Sequence, residues 1–486
     1  MNLRAVSIYI GRILIVQSLL MVPALMIAAA LFETRATIGF SIAMFAQLLI
    51  ALPLTKRKRR QHEAIYASEG FAIAALTWIV VSLFTMFVYF ISGEFGGLMN
   101  CWFESVSGYT TTGATILTNV EALPKSILYW RSFTLWIGGM GVLAFMLAIV
   151  PTNERGSGEA MHFMRAESPG PSMGKLTPKL KSTAKLLYII YFALTLATFL
   201  LLLLGGMPVF DSLTNALAIA ATGGFSIKNA GLSAYPGAYF QVVLGLTMFL
   251  SAISFTIYYL LIKKQFRYVS KNEELRTYLI MIVAFTIIVT INISNLYADG
   301  FSAFKDALFH VISMISTTCV HTVDYALWPE LSKLLLLLLF AAGGCAGSTA
   351  GGFKLSRLIL LFKYLKAQLQ TMLRPRAIKP VRMNGKTVDD SMLKATFAYL
   401  TAYVAILVIS MILVSPDNLN IEETLTSVLA SLSNAGPGYG IIGPGGNYSS
   451  LSLLSKAVLT LDMLLGRLEI FPVLLILSPA MWRKRA

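Results

Sequence analysis

The sequence predicts an all-α polytopic membrane protein: a two-helix leader, then four repeats of helix, short re-entrant helix and helix about one axis. Three observations carry this. Hydrophobic residues fill 56% of the 486 positions and charged residues 13%, with mean hydropathy +0.72; a soluble chain carries about a quarter charged residues. Ten apolar runs stand near the roughly 20 residues that cross a bilayer core, at 11–32, 36–54, 71–92, 126–150, 185–205, 238–262, 277–296, 332–362, 395–415 and 451–480. Their continuity excludes a β-barrel, whose strands are short and alternating. Finally, a short motif recurs four times between such runs, as Thr111-Thr112-Gly113-Ala114-Thr115, Thr222-Gly223-Gly224-Phe225-Ser226, Thr317-Thr318-Cys319-Val320-His321 and Asn434-Ala435-Gly436-Pro437-Gly438.

Residues 1–67 form the leader, which closes on Lys56-Arg57-Lys58-Arg59-Arg60. Its first run is too long for a signal-peptide core, and no small-residue cleavage site follows. The remainder divides into 68–165, 166–270 (with a preceding loop), 271–385 and 386–486. In each, an outward span leads to a semi-polar segment of about a dozen residues, the motif, and a returning span. A helix that short rises only about 18 Å, so it dips into the membrane and does not cross it. Irregular backbone at that depth survives only where protein buries it or water reaches it.

The repeats share a register. Thirteen residues before the third motif position stand Asn100, Asp211, Asp306 and Glu423, a polar set expected to cap the short helices. Eleven and seven residues before it stand Trp102, Leu213, Leu308 and Leu425, and Val106, Leu217, Ile312 and Leu429, four apart and on one face. The negative ends of the helix dipoles then aim at the motif and favour a cation there. A dehydrated monovalent cation needs replacement oxygens, and glycine permits the torsions that turn carbonyls inward. One copy of the motif would read as a turn; four copies at one place in each repeat read as a ring of ligands.

Two spans depart from the pattern. The third unit's return contains Gly343-Gly344-Cys345-Ala346-Gly347-Ser348-Thr349-Ala350-Gly351-Gly352, and each glycine disfavours helix by about 1 kcal/mol against alanine, so a break in mid-membrane is expected. The fourth unit's return holds Gly466-Arg467-Leu468-Glu469. An intramembrane arginine faces a wet cavity or a partner: either the pathway, or a salt bridge with Glu469 or Asp462.

The net charge of +16 is topological. Lys and Arg crowd alternate loops (56–60, 263–271, 354–394, 483–485), while Glu33, Glu94, Asp211, Asp299, Asp306, Asp417, Glu422 and Glu423 occupy the others. This places both termini in the cytoplasm and adds attraction for anionic lipid, with no nucleic-acid partner. The stretch 354–394 is either a solvated inner face or a dock for an acidic regulatory ring. Cys101, Cys319 and Cys345 have neither metal spacing nor a disulfide framework. Phosphate-loop and dinucleotide fingerprints are missing, and no enzyme is expected.

Ser105-Val106-Ser107-Gly108-Tyr109-Thr110-Thr111-Thr112-Gly113-Ala114-Thr115 resembles the first pore segment of the Trk-type potassium-uptake membrane subunits. The glycine-rich break, the Asn434–Gly438 segment, Gly466-Arg467-Leu468-Glu469 and the stretch from Ser168 to Pro178 extend the likeness over the whole chain. The resemblance implies the Trk/Ktr/HKT superfamily: four helix–pore-helix–helix repeats around a central pore plus the two N-terminal helices, in a dimeric component of a bacterial plasma membrane. It implies filter oxygens for K+ from Thr111, Thr112, Gly113, Thr222, Gly223, Gly224, Thr317, Thr318, Cys319, Asn434, Ala435 and Gly436. It further implies a gate formed by Gly343, Gly344, Gly347, Ser348, Thr349, Gly351, Gly352 and Arg467. NAD or ATP would bind a separate cytosolic ring, with no cofactor on this chain. Cys319 departs from the family's glycine, so either this quadrant relaxes or selectivity against Na+ is imperfect. His321 is a proton sensor at the mouth or a residue without a role there. A proton-coupled symporter is the competing class, but such proteins show inverted or paired repeats and midplane ionisable groups, whereas these repeats share one orientation.

Overall fold

The computed structural model describes residues 2–56, 67–141, 180–235, 237–374 and 380–482. Arg57–Arg60, the end of the run 126–150, the Ser168–Pro178 stretch and Arg483–Arg485 lie outside the described residues.

The leader is a hairpin of α1 (Leu3–Ala30) and α2 (Thr34–Thr55). Gly11 lets α1 approach α2 closely, since a Cβ there would stand 3.1 Å from Ala51 O; small residues at such contacts are the usual means of membrane helix packing. Polar ties join the leader to the first unit. Glu33 accepts from the amides of Lys125 (2.7 Å) and Ser126 (3.1 Å), and Gln17 Nε2 donates to Val81 O (2.8 Å) and Tyr109 Oη (2.9 Å).

The first unit comprises α3 (Ala67–Ser92), α4 (Leu98–Tyr109) and α5 (Lys125–Gly139). The second comprises α6 (Leu180–Leu204), α7 (Val209–Ala220), α8 (Ala238–Ser251) and α9 (Phe255–Ile262). After the short α10 (Phe266–Ser270), the third has α11 (Glu273–Ile293), α12 (Gly300–Ile315), α13 (Glu330–Ala342) and α14 (Leu355–Leu373). The fourth has α15 (Asp390–Val414), α16 (Ile421–Leu432), α17 (Leu453–Arg467), α18 (Phe471–Leu477) and α19 (Pro479–Trp482). Helices α4, α7, α12 and α16 are the short helices that precede the four motifs, the set expected to be re-entrant, and the last six residues of each are buried. The outgoing α11 and α15 instead expose Ile280, Val283, Ile287 and Ile291, and Val404, Val408 and Ile412. These apolar faces suit hydrocarbon surroundings, where the helix satisfies its own backbone.

About ten spans were expected, with a break in mid-membrane in the third unit's return, and the second and fourth return legs are broken as well. Among the described residues six helices are long and apolar enough to cross, seven if the bent pair α8–α9 counts as one. Helices α5, α8, α13 and α17 run 15, 14, 13 and 15 residues, about 20–22 Å at 1.5 Å per residue, short of the bilayer core. The α8–α9 joint bends by 90° with neither glycine nor proline in Ala252-Ile253-Ser254. Its backbone groups are spent elsewhere: Ala252 O accepts from the Cys345 amide (3.0 Å) and the Phe255 amide donates to Gly347 O (2.9 Å). Residues 343–354 part α13 from α14, and Glu469 and Ile470, both at positive φ, part α17 from α18.

Candidate functional site

All four re-entrant helices end in one way. After α4, Thr111 turns left-handed (φ 56°), its amide donating to Gly108 O (3.1 Å) and that of Thr112 to Ser107 O (3.0 Å). This bond pair is the Schellman closure of a helix C-terminus. It recurs as Thr222 to Ile219 (2.9 Å) with Gly223 to Ala218 (3.0 Å), and as Thr317 to Met314 (2.9 Å) with Thr318 to Ser313 (3.1 Å). In the fourth unit Asn434 donates to Ser431 (3.2 Å) and Ala435 to Ala430 (2.8 Å). Glycine usually takes the left-handed place in such a cap. Here three β-branched threonines and one asparagine hold it, each threonine against about 1–2 kcal/mol of steric cost. Two residues on, a second left-handed residue follows: Gly113 (77°), Gly224 (73°), Cys319 (52°) and Gly436 (84°).

Neighbouring segments press against one another. A Cβ on Gly113 would overlap Gly223 O, on Gly224 it would overlap Thr318 O, and on Gly436 it would overlap Thr112 O. The first segment thus abuts the second, the second the third, and the fourth the first. Gly113, Gly224, Cys319 and Gly436 line a single open cavity. The structure brings together all twelve sequence-predicted filter residues in these four arcs.

The arcs are braced in a two-fold pattern. In the first and third, Ser107 and Ser313 hydroxyls donate to Ala114 O and Val320 O (2.6 Å each), and Thr110–Thr112 and Ser316–Thr318 hydroxyls pair at 2.8 Å. The fourth is held from outside: Tyr448 Oη donates to Gly436 O (2.6 Å), and Asn434 Nδ2 donates to Thr112 Oγ1 (3.1 Å) and Met463 O (2.9 Å). The threonine and asparagine side chains therefore brace the arcs.

Cys319 sits at the smallest φ of the four third positions, and its amide donates to Ser313 O at 3.0 Å. The amides of Gly113, Gly224 and Gly436 make no such bond to Ser107, Ala218 and Ala430. The Cβ is accommodated by relaxing this quadrant toward its helix. Cys319→Gly is expected to keep transport and sharpen discrimination of K+ over Na+ several-fold, the scale of about 1 kcal/mol of relieved strain; rubidium uptake under sodium competition measures it, and unchanged competition refutes it. His321 lines the same cavity. Desolvation lowers its pKa, with Asp324 opposing.

The predicted capping set is corrected. The helix N-caps are Gly97, Pro208, Asp299 and Asn420, of which Asp299 and Asn420 cap with their side chains. Only Glu423 joins a cap, in a capping box with Asn420. Asn100 and Asp211 stand at the third helical position as Glu423 does, and Asp306 at the seventh, but they accept from Lys456 Nζ (3.0 Å), Tyr235 Oη (2.8 Å) and Gln241 Nε2 (2.9 Å). They tie the re-entrant helices to return legs and mouth loops.

The glycine-rich loop reaches into the same assembly. Gly351 N donates to Thr317 Oγ1 (2.6 Å), Gly352 N to Ser433 O (2.8 Å), and Thr349 Oγ1 to Ser251 O (3.1 Å). A Cβ on Gly343 would overlap Gly351 O and one on Gly351 would overlap Ser433 O; the loop is folded back on itself against the arcs. Ser348 Oγ turns back to Cys345 O (2.6 Å). The Ala346 and Ser356 amides both donate to Glu274 Oε1 on α11 (2.7 and 3.0 Å), and Lys354 Nζ donates to Ala350 O.

Arg467 spans the site. It donates to Thr349 O (3.3 Å), Gly139 O (2.8 Å) and Gly138 O. Of its expected acidic partners, Glu469 pairs with Arg357 and Asp462 accepts from Ser410 Oγ at 2.8 Å. The arginine therefore joins the loop to the first unit's return leg. Gly138, Gly139, Lys354 and the buried pair Glu104–Arg131 belong to the site without having been expected from sequence; a lone charge inside an apolar run was the available signal.

Comparisons place this architecture. The family model described as TrkH, cation transport protein, matches residues 34–484. The Trk system potassium uptake protein TrkH of Salmonella typhimurium is 31% identical over 490 residues, covering all of both chains. TrkG of Escherichia coli K12, another Trk system potassium uptake protein, is 30% identical over 99% of each. The crystal structure of the potassium transporter TrkH from Vibrio parahaemolyticus superposes with a TM-score of 0.87 at 29% identity, covering 99% of this chain and all of that one.

Proposed function

The chain belongs to the TrkH family of cation transport proteins, and on that basis we propose that it conducts K+ through the ring of Thr111–Gly113, Thr222–Gly224, Thr317–Cys319 and Asn434–Gly436. It is a membrane-integral potassium-uptake subunit of the Trk type and not an enzyme. The observation that carries the reading is the succession of left-handed glycines against neighbouring carbonyls at three of the four junctions, with all four third positions lining one cavity. Carbonyl dipoles so arrayed replace a cation's hydration shell, and the negative ends of α4, α7, α12 and α16 favour it.

Loop 343–352 with Arg467 is the gate in this reading, supported by their bonds to Thr317, Ser433, Gly138 and Gly139. Opening is assigned to a cytosolic ring that binds NAD or ATP; the subunit itself is a homodimer in a bacterial plasma membrane with both termini cytoplasmic. The test is rescue of a potassium-uptake-deficient bacterium at low external K+, with and without that ring. Rescue supports conduction, and failure of a well-expressed protein to rescue with its partner refutes it.

One observation favours a second reading, proton-coupled symport. Asp462 is 2% exposed within α17, and its Oδ2 has no hydrogen-bond partner among the described residues. Intramembrane carboxylates of this kind mark proton relays. Reversal potentials in liposomes decide: a conducting pore follows the K+ gradient alone, and Asp462→Asn leaves that potential unchanged. A shift with the proton gradient that Asp462→Asn abolishes establishes coupling.

A further inference from the structure

Behind the ring, one quadrant differs from the others in charge. The residue nine positions before the third motif position is Glu104, Asn215, His310 or Ser427, all buried, and only the first is an acid. Glu104 is 0% exposed and its partner Arg131, on α5, is 1% exposed. Arg131 Nε and Nη2 donate to Glu104 Oε1 at 3.0 and 2.6 Å. The same carboxylate accepts from Thr115 Oγ1 (2.9 and 3.1 Å) and from the Ile116 amide (3.0 Å), so its acceptor capacity is filled.

Thr115 and Ile116 are the residues on which the first arc leaves the ring. Arg131 carries the link onward: Nη1 donates to Ser226 O (3.4 Å) and the guanidinium lies 4.1 Å from the Phe225 ring centroid. Phe225 and Ser226 are where the second arc leaves. At the inner edge of this same junction, Gly113 meets Gly223 O without room for a Cβ. The other neighbouring units are tied by neutral pairs, as Ser233 Oγ to Thr322 O (2.9 Å), Tyr325 Oη to Gly438 O (3.2 Å) and the Tyr448 amide to Thr115 O (2.8 Å). Single charged groups add to these, as Lys456 to Asn100 and Gln241 to Asp306, with the longer Lys333–Glu422 pair (3.8 Å); among the described residues, a fully buried ion pair stands only at the first junction.

We propose that Glu104 and Arg131 are specificity-determining positioning residues, a buried ionic strut that fixes the spacing of the first and second arcs and thereby favours K+ over the smaller Na+. The proposal rests on the filter reading above. A planar guanidinium that sets two charge-assisted bonds on one carboxylate oxygen, the other oxygen being held by Thr115 and Ile116, fixes geometry more firmly than a single neutral bond. Loosening the junction lets carbonyls close on a smaller ion.

The test is rubidium uptake under sodium competition in proteoliposomes, for wild type and for Glu104→Gln combined with Arg131→Met, which removes both charges and strands neither. Monodispersity and melting temperature in detergent establish folding. The expected result is a folded variant that takes up rubidium while sodium competes about tenfold better, the scale of one lost charge-assisted bond. A folded variant with wild-type competition overturns the strut. Should the double variant fail to fold, Thr115→Val decides: it leaves the ion pair and removes the hydroxyl that joins the arc to Glu104 and Arg131 and accepts from the Leu117 amide, so competition rises about threefold or the proposal fails. Wild type that takes up no rubidium indicts the filter reading itself, a separate outcome.

Discussion

Gly113→Ala and, independently, Gly436→Ala should abolish K+ uptake while the protein remains folded in the membrane. Both glycines sit at positive φ, where an L side chain costs about 1–2 kcal/mol. That strain alone is survivable. The added Cβ, however, would occupy the position of Gly223 O or Thr112 O, so the neighbouring carbonyl must move on the order of 1 Å, and displacements of that size at a preorganised site cost about a hundredfold in rate. Gly206 separates the two effects, because it has φ 87° and a Cβ added there would meet nothing within 4 Å. Gly206→Ala shares the torsional penalty and should retain uptake. Rubidium uptake normalised to membrane protein is the measurement; wild-type rates in Gly113→Ala would remove the basis for the ring.

Arg467→Ala should increase flux, most visibly without the cytosolic partner. The guanidinium ties Thr349 of the loop to Gly138 and Gly139 across the site, and three charge-assisted bonds vanish together. Its positive charge also opposes a cation nearby by about 3 kcal/mol at ~6 Å and an effective dielectric of ~20. Arg467→Lys distinguishes tether from charge: it keeps the charge and loses the planar fork, so flux midway between wild type and alanine assigns part of the closure to geometry. Lower flux in a folded Arg467→Ala protein would contradict both roles. Potassium efflux from loaded liposomes reads all three proteins.

The four arcs were legible because their signal is repetition at fixed register, which survives without knowledge of the fold. The helix breaks were legible only where composition spoke. Glycines announced the gap after Ala342, whereas nothing in Ser251-Ala252-Ile253-Ser254 marks a 90° turn. That turn is made by bonds from Cys345 and to Gly347, nearly a hundred residues away. Likewise Asn100, Asp211 and Asp306 looked like caps from their spacing, and tertiary donors claimed them instead. Arg131 was hidden inside an apolar run, and its partner Glu104 inside a short helix; their meeting is a property of the packed bundle alone.

Biogenesis inherits a constraint from the ring. Each arc is torsionally unfavourable by itself, and what rewards it is contact with an arc from another part of the chain. The closing bond, Asn434 to Thr112, joins residues 322 positions apart. A nascent chain that has delivered three units to the bilayer can therefore make the contacts of the first arc with the second and of the second with the third, while those of Gly436 and Asn434 with Thr112 wait for the last unit.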